Sequence, residues 1–324
     1  MAERNLVEAI NQALGLELER NERVLLFGED VGRVGGVFRA TQGLQSRFGA
    51  ARVFDTPIAE SAIVGVACGM AAAGLVPVPE IQFMGFVMPA FNQLVSQAAR
   101  LYSRSGGRYP MSMVVRVPYG GLIGSPELHA DSLEAPFVHA PGLKVVCPST
   151  PTEAKGLLHA AIADPDPVLF MEPIRLYRQF REEVPDDYFT LPLGKARVAR
   201  PGRDVTLIAW GTMVHTALAA AEKLAPQGIS AEVLDLRSLW PLDTEAIAAS
   251  VEHTGRAVVV HEAARTAGVG AEIVAAINDT ALWSLLAPVQ RVCGWDAPYP
   301  TSALEEYYVP DAGRVVGAVL EAMA

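Results

Sequence analysis

Leu6, Ile10, Ala13, Leu14 and Leu18 recur every three or four positions through residues 3–20, the spacing of a helix with one face on a core. Val24-Leu-Leu-Phe-Gly28 follows as a short unbroken apolar run, which predicts a buried strand ending at glycine. That beat repeats. Strand-like runs at 75–81, 111–118, 143–148 and 168–171 alternate with helical spacing at 60–74, 89–105 and 151–163. A second block begins near residue 204, with strands expected at 205–210, 230–236, 257–261 and 288–292. Its helices are expected at 212–225, 243–254, 270–278 and from Asp311 onward. Between the blocks, Arg178 to Arg203 is charged and proline-bearing and reads as an interdomain connection. Regular alternation predicts mostly parallel sheets with helices on both faces. The expected fold is therefore α/β, two doubly wound domains over 1–185 and 204–324 joined by a linker over 186–203.

With 324 residues and 51% hydrophobic positions, the chain is long and apolar enough to bury a core in each domain. Apolar stretches are broken within about ten positions, short of the roughly twenty that a membrane span needs. The opening residues lack the apolar core of a secretory signal and the acid-poor character of a transit peptide. Cys68, Cys147 and Cys293 are few and scattered, so neither a disulfide framework nor a zinc site is expected, and a bacterial, reducing cytoplasm is the expected location. A formal charge of −10 argues against binding nucleic acid or an anionic membrane.

Candidate chemistry gathers in turns after expected strand ends, where open parallel sheets place their sites. Four turns stand out: Gly28-Glu-Asp-Val31, Asp55-Thr-Pro-Ile-Ala-Glu60, Glu80-Ile-Gln-Phe-Met-Gly-Phe86, and 118–129, which ends at His129. The P-loop, the nucleophile elbow and the full dinucleotide fingerprint are all missing. Gly268-Val-Gly270 reads as helix packing, and His261-Glu-Ala-Ala-Arg265 has arginine where a zinc helix needs its second histidine. Glu60 precedes a helix of small residues, Ser61 to Gly74, to which another backbone or a flat ring can come close. Taken alone, a carboxylate there is explained by the helix dipole. His129 lies on a glycine-bearing loop and can exchange a proton near neutral pH. The other five histidines, His139 among them, read as structural. Phe86 reads either as core or as a ring for stacking on a heterocycle.

Together these turns, with Tyr102-Ser-Arg-Ser-Gly-Gly107, Glu127-Leu-His129, Pro141-Gly-Leu-Lys-Val-Val146 and Asp235-Leu-Arg-Ser-Leu-Trp-Pro241, resemble the beta subunit of thiamine-diphosphate-dependent 2-oxoacid dehydrogenases nearly end to end. Glu80-Ile-Gln-Phe83, Phe170-Met-Glu-Pro-Ile-Arg-Leu-Tyr-Arg178 and Arg291-Val-Cys-Gly-Trp-Asp296 look most like the branched-chain enzyme, which acts on 2-oxoisovalerate; the pyruvate or acetoin enzyme is the alternative. The resemblance implies a pyrimidine-binding domain followed by a transketolase-type C-terminal domain. It implies an alpha partner in an α2β2 heterotetramer that holds the diphosphate and Mg²⁺, since this chain has no Gly-Asp-Gly motif. It leaves open a structural monovalent cation. By the same resemblance, Glu60 hydrogen-bonds the pyrimidine nitrogen and promotes the imino tautomer of the cofactor. Phe86 stacks on the pyrimidine, Gln82 and Ile58 are neighbouring contacts, Glu29 joins a proton relay, and His129 assists acyl transfer to the lipoyl group of an acyltransferase component. Many relatives read His-Ser-Gln where this chain reads His129-Ala-Asp131. The C-terminal block offers no catalytic constellation, and Glu305, Glu306 and Asp311 are expected as surface acids, either solvated or facing a docking module. A non-catalytic scaffold is the reading from another class; Glu60, Phe86 and His129 together argue against it.

Overall fold

A computed structural model describes residues 1–324. Its larger sheet has seven strands in the order Ser238–Trp240, Lys144–Val146, Val168–Pro173, Val114–Tyr119, Val76–Glu80, Val24–Gly28 and Val53–Asp55, parallel except for the first pair. The smaller sheet runs Gln290–Gly294, Ala257–Ala264, Val205–Ala209, Ala231–Asp235 and Arg197–Arg200, again parallel except at one edge. The expected strands all form, and their mostly parallel pairing gives the expected α/β architecture. Helices Leu6–Arg20 and Pro151–Ala163 pack together on one face of the first sheet, and the five apolar positions that predict the first helix are buried in it. Asn5 and Glu8 close that helix with a reciprocal capping box.

On its other face the first sheet shares one apolar core with the second. Phe27, Met113, Val115 and Tyr119 join Ile208, Trp210, Leu234 and Ile273 in a single buried cluster. The far face of the second sheet packs on helices Thr212–Leu224 and Ala312–Met323. Two departures from the sequence reading have physical causes. The helix expected at 89–105 is a 3-10 turn over Met84–Ala90, a π-helical stretch over Asn92–Ala98 and one α-helical turn and a half over Ala99–Arg104; Pro89 inside the first segment cannot extend an α-helical ladder. The charged stretch 178–203 also supplies edge strands: Glu182–Val184 pairs antiparallel with Ala2–Arg4, and Arg197–Arg200 with Ala231–Asp235.

In the first sheet the chain runs from Val24–Gly28 outward to Val53–Asp55, then crosses back to Val76–Glu80 on the opposite side. The order therefore reverses between Val24–Gly28 and Val76–Glu80. Open α/β sheets bind ligands at the carboxyl ends of strands at such a reversal. Glu29 follows one of these strands, and Glu80 and Gln82 end or follow the other.

Candidate active site

The turns at the reversal are bound to one another by backbone groups. Gly28 carries φ +152°, and a Cβ there would lie 2.5 Å from the Glu80 carbonyl oxygen, so only glycine lets the two strand ends approach. Thr56 N–H donates to the Gly28 carbonyl at 3.0 Å, while Asp55 accepts from the N–H groups of Gly32 at 2.6 Å and Arg33 at 3.3 Å. These bonds fix the 55–60 turn against the 28–33 turn and deliver Glu60 to the first position of helix Glu60–Ala72. Glu60 has no capping partner there and is half-buried. Glu29 is buried, and its carboxyl is held above the ordinary range by burial first and then by the charges of Glu60, Asp30 and Glu80. Glu60 thus stands close enough to Glu29 for its charge to be felt there.

A buried ionic network underlies them. Arg116 donates to Glu80 at 2.8 Å and, through two nitrogens, to Glu172 at 2.6 and 2.9 Å, and Tyr177 Oη donates to Glu172 at 2.5 Å. Burial pushes the Glu80 carboxyl up although the Arg116 guanidinium pulls it down. Sequence reading missed Arg116, Glu172 and Tyr177. The signal was available as a charged residue inside the apolar run Val114-Val-Arg-Val, which only a buried partner makes tolerable.

Gln82, Phe83 and Phe86 follow the second strand. Gln82 donates to Asp30 at 3.5 Å, the outer limit of a hydrogen bond. Phe83 and Phe86 enclose the His129 ring, with centroids at 4.4 and 5.0 Å and edge-on geometry. Gly85 makes this approach feasible, because a Cβ there would collide with the Leu128 carbonyl oxygen. His129 Nδ1 is buried without a hydrogen-bond partner, and Asp131, whose carboxyl burial pushes up, does not supply one. Ile58, by contrast, is 81% exposed and stands apart on the surface of the isolated chain. The structure thus brings Glu29, Glu60 and Gln82 together, sets Phe86 against His129, and leaves Ile58 on the rim.

A cavity of about 640 Å³ opens beside His129, lined by Gly124 to His129 with Thr301 and Ser302. It excludes Glu60, Gln82 and Phe86. No group of three or more His, Cys, Asp and Glu side chains is placed to hold a metal. Two further expectations need correcting. Glu305 is only 4% exposed and accepts from Gly124 N–H at 3.2 Å, whereas Glu306 and Asp311 are exposed as expected, Asp311 also capping the last helix by accepting from Arg314 N–H. His139 is exposed and not a core histidine, because the helix Glu134–Val138 ends before it and turns it outward.

Known proteins agree with this layout. Family models match twice: the transketolase pyrimidine-binding domain over residues 2–179 and the transketolase C-terminal domain over 194–315. A solved structure described as a split gene transketolase, inactive beta4 tetramer, has TM-score 0.79 and 24% identity, covering 99% of this chain and 98% of that one, a likeness of fold. Pyruvate dehydrogenase E1 component subunit beta of Bacillus subtilis (strain 168) is 54% identical over 96% of both chains. The protein of the same name from Staphylococcus epidermidis is 51% identical over 98% of this chain and 97% of its own, and that from Staphylococcus aureus 49% over 100% and 99%. Identity of that extent, over a site of this geometry, shows that the chain belongs to the beta subunits of thiamine-diphosphate-dependent 2-oxoacid dehydrogenase E1 components.

Proposed function

We propose that the chain is the beta subunit of a pyruvate dehydrogenase E1 component, working with an alpha subunit in a heterotetramer and passing the acyl group to a lipoyl acyltransferase component. The observation carrying the substrate is that relatives 49–54% identical over nearly their full length bear the pyruvate name. The branched-chain expectation drawn from the 80–83, 170–178 and 291–296 motifs gives way to it, because most of a substrate pocket shared between two chains is not encoded in one of them. Residues 1–185 are read as the pyrimidine-binding domain and 204–324 as the transketolase C-terminal domain.

Half-buried Glu60, Gln82 and Phe86 offer a carboxyl, an amide and a ring that fit the pyrimidine end of the cofactor. Thiamine diphosphate, when bound, supplies the electron sink for decarboxylation. Glu60 is assigned to hold a proton at the pyrimidine ring nitrogen, and Glu29, with its raised affinity for protons, to exchange with it. Phe86 orients the ring by stacking, Gln82 stays within reach of Asp30, and Ile58 completes the rim once a second subunit covers it. His129, packed edge-on against Phe83 and Phe86, is assigned to proton transfer during acylation of the lipoyl group. The alpha subunit is assigned the diphosphate and Mg²⁺; no residue here is assigned to a monovalent cation.

The reconstituted α–β complex should be assayed with pyruvate, 2-oxoisovalerate and 2-oxoglutarate. A pocket tells apart substrates that differ by one or two carbon groups by about 1–3 kcal/mol, so kcat/KM for pyruvate should lead by at least about tenfold. A lead for 2-oxoisovalerate would restore the branched-chain reading.

A further inference from the structure

The loop from Gly120 to His129 belongs to the first sheet by sequence, yet its backbone is held by the second. Gly121 N–H donates to Glu262 Oε1 at 2.7 Å, Leu122 N–H to Tyr299 Oη at 2.9 Å, and Gly124 N–H to Glu305 Oε2 at 3.2 Å. The three acceptors come from strand Ala257–Ala264, from the loop after strand Gln290–Gly294 and from the short helix Glu305–Tyr308. Nothing but three-dimensional structure aligns them.

The loop needs holding. Gly120, Leu122 and Gly124 have φ of +98°, +60° and +69°, and Leu122 is a branched residue in a region that strongly favours glycine. A cavity of about 240 Å³ opens just beyond the loop's downstream end, lined in part by Asp131, Ser132, Glu262, Tyr299 and Tyr308. Hydrogen bonds to acidic side chains are among the stronger ones available. Glu262 and Glu305 each commit one oxygen to the loop and leave the other buried without a partner, an arrangement that is costly unless the bonded oxygen has work to do. The downstream end is fastened as well: Ala130, next to His129, is buried in the apolar core of the second sheet. Gly121 admits the clamp, because a Cβ there would collide with Tyr299 Oη.

We propose that Glu262, Tyr299 and Glu305 are positioning residues that clamp the 121–124 backbone and thereby set the place of His129 against Phe83 and Phe86. This rests on the reading of His129 as an active-site group, and the test separates the two.

In the reconstituted complex, amide hydrogen exchange over 120–129 and two rates should be measured: pyruvate decarboxylation with an artificial electron acceptor, and acylation of a lipoylated domain. Tyr299→Phe and Glu305→Leu should each speed exchange at Leu122 and Gly124 respectively by about tenfold, the value of one net hydrogen bond. Both should slow lipoyl acylation by a larger factor than decarboxylation, as His129→Ala should. Glu305→Gln, which retains an acceptor oxygen, should restore exchange and acylation together. Unchanged exchange in Tyr299→Phe and Glu305→Leu would overturn the clamp. Faster exchange with normal acylation, while His129→Ala is impaired, would overturn its positioning role. Normal acylation in His129→Ala would instead remove His129 from the reaction, and exchange alone would then decide the clamp.

Discussion

The two parallel sheets are built alike and end differently. Strands of the first finish in Glu29, Glu80 and Gln82 around a reversal of strand order, with a buried guanidinium beneath; strands of the second finish in acids that accept hydrogen bonds from elsewhere in the chain. Asp235 accepts from Ser149 and Arg197, and Glu262 from Gly121. On the proposed reading, the same α/β frame serves as a reactive surface in one half and as a brace in the other. What separates them is the pair of half-buried groups Glu60 and Gln82 beside the first sheet's strand ends, whereas Asp235 and Glu262 of the second are bound to other parts of the chain.

The strongest test of that contrast is Glu60→Gln, which keeps the shape and removes the titrating group. In the assembled enzyme it should slow exchange of the cofactor C2 proton by about 10²–10⁴-fold while leaving subunit assembly intact. Near-normal exchange would make the first half as inert as the second. Next is Arg116→Met, which strands Glu80 and Glu172 as buried acids without a counter-charge. It should cost about 3–5 kcal/mol in denaturant unfolding. A loss below about 1 kcal/mol would mean that the network is incidental.

A third comparison uses pH, because each half buries groups whose proton affinity is shifted, Glu134 in the first and His261 in the second among them. Burial pushes Glu134 in the first half from 4.5 up to about 8, so the folded chain holds a proton that the unfolded chain releases. Stability from that proton is complete below about 4.5 and is lost as pH rises through about 8. His261 in the second half is pushed from 6.5 down to about 4, by burial and then by Arg291 and Arg265, with both ring nitrogens unpartnered and its ring stacked on Trp210. Its contribution is present above about 6.5 and is lost as pH falls through about 4. The two windows overlap between about 4.5 and 6.5, where the slopes oppose each other, so stability should fall above about 6.5 and below about 4.5, by up to about 1.4 kcal/mol per unit. Glu134→Gln should remove the fall between about 6.5 and 8 and uncover the His261 slope below it; an unchanged curve would refute the assignment. The smallest effect is expected from Gly85→Ala, whose Cβ forces the Leu128 carbonyl and the His129 loop to shift at a cost of about 1–3 kcal/mol, read as a lower melting temperature.

Much of this was legible in the chain. The helix–strand beat carries the fold because apolar periodicity is local, and Glu60, Phe86 and His129 stand in turns whose residues announce themselves. The ionic network was half legible, through Arg116 alone. Glu305 was misread because burial of an acid depends on a loop 181 positions earlier in the chain, which no local pattern encodes. The strands at 182–184 and 197–200 were hidden by charge, which edge strands tolerate where inner strands do not.

Strand Ser238–Trp240 pairs antiparallel with Lys144–Val146 and so closes the edge of a sheet that otherwise comes from the other half of the chain. Cutting the gene between the two family matches would yield a first fragment with a bare row of amide and carbonyl groups, a template for self-association, and a second fragment with a homeless strand. The pieces are modular on paper and inseparable at the bench.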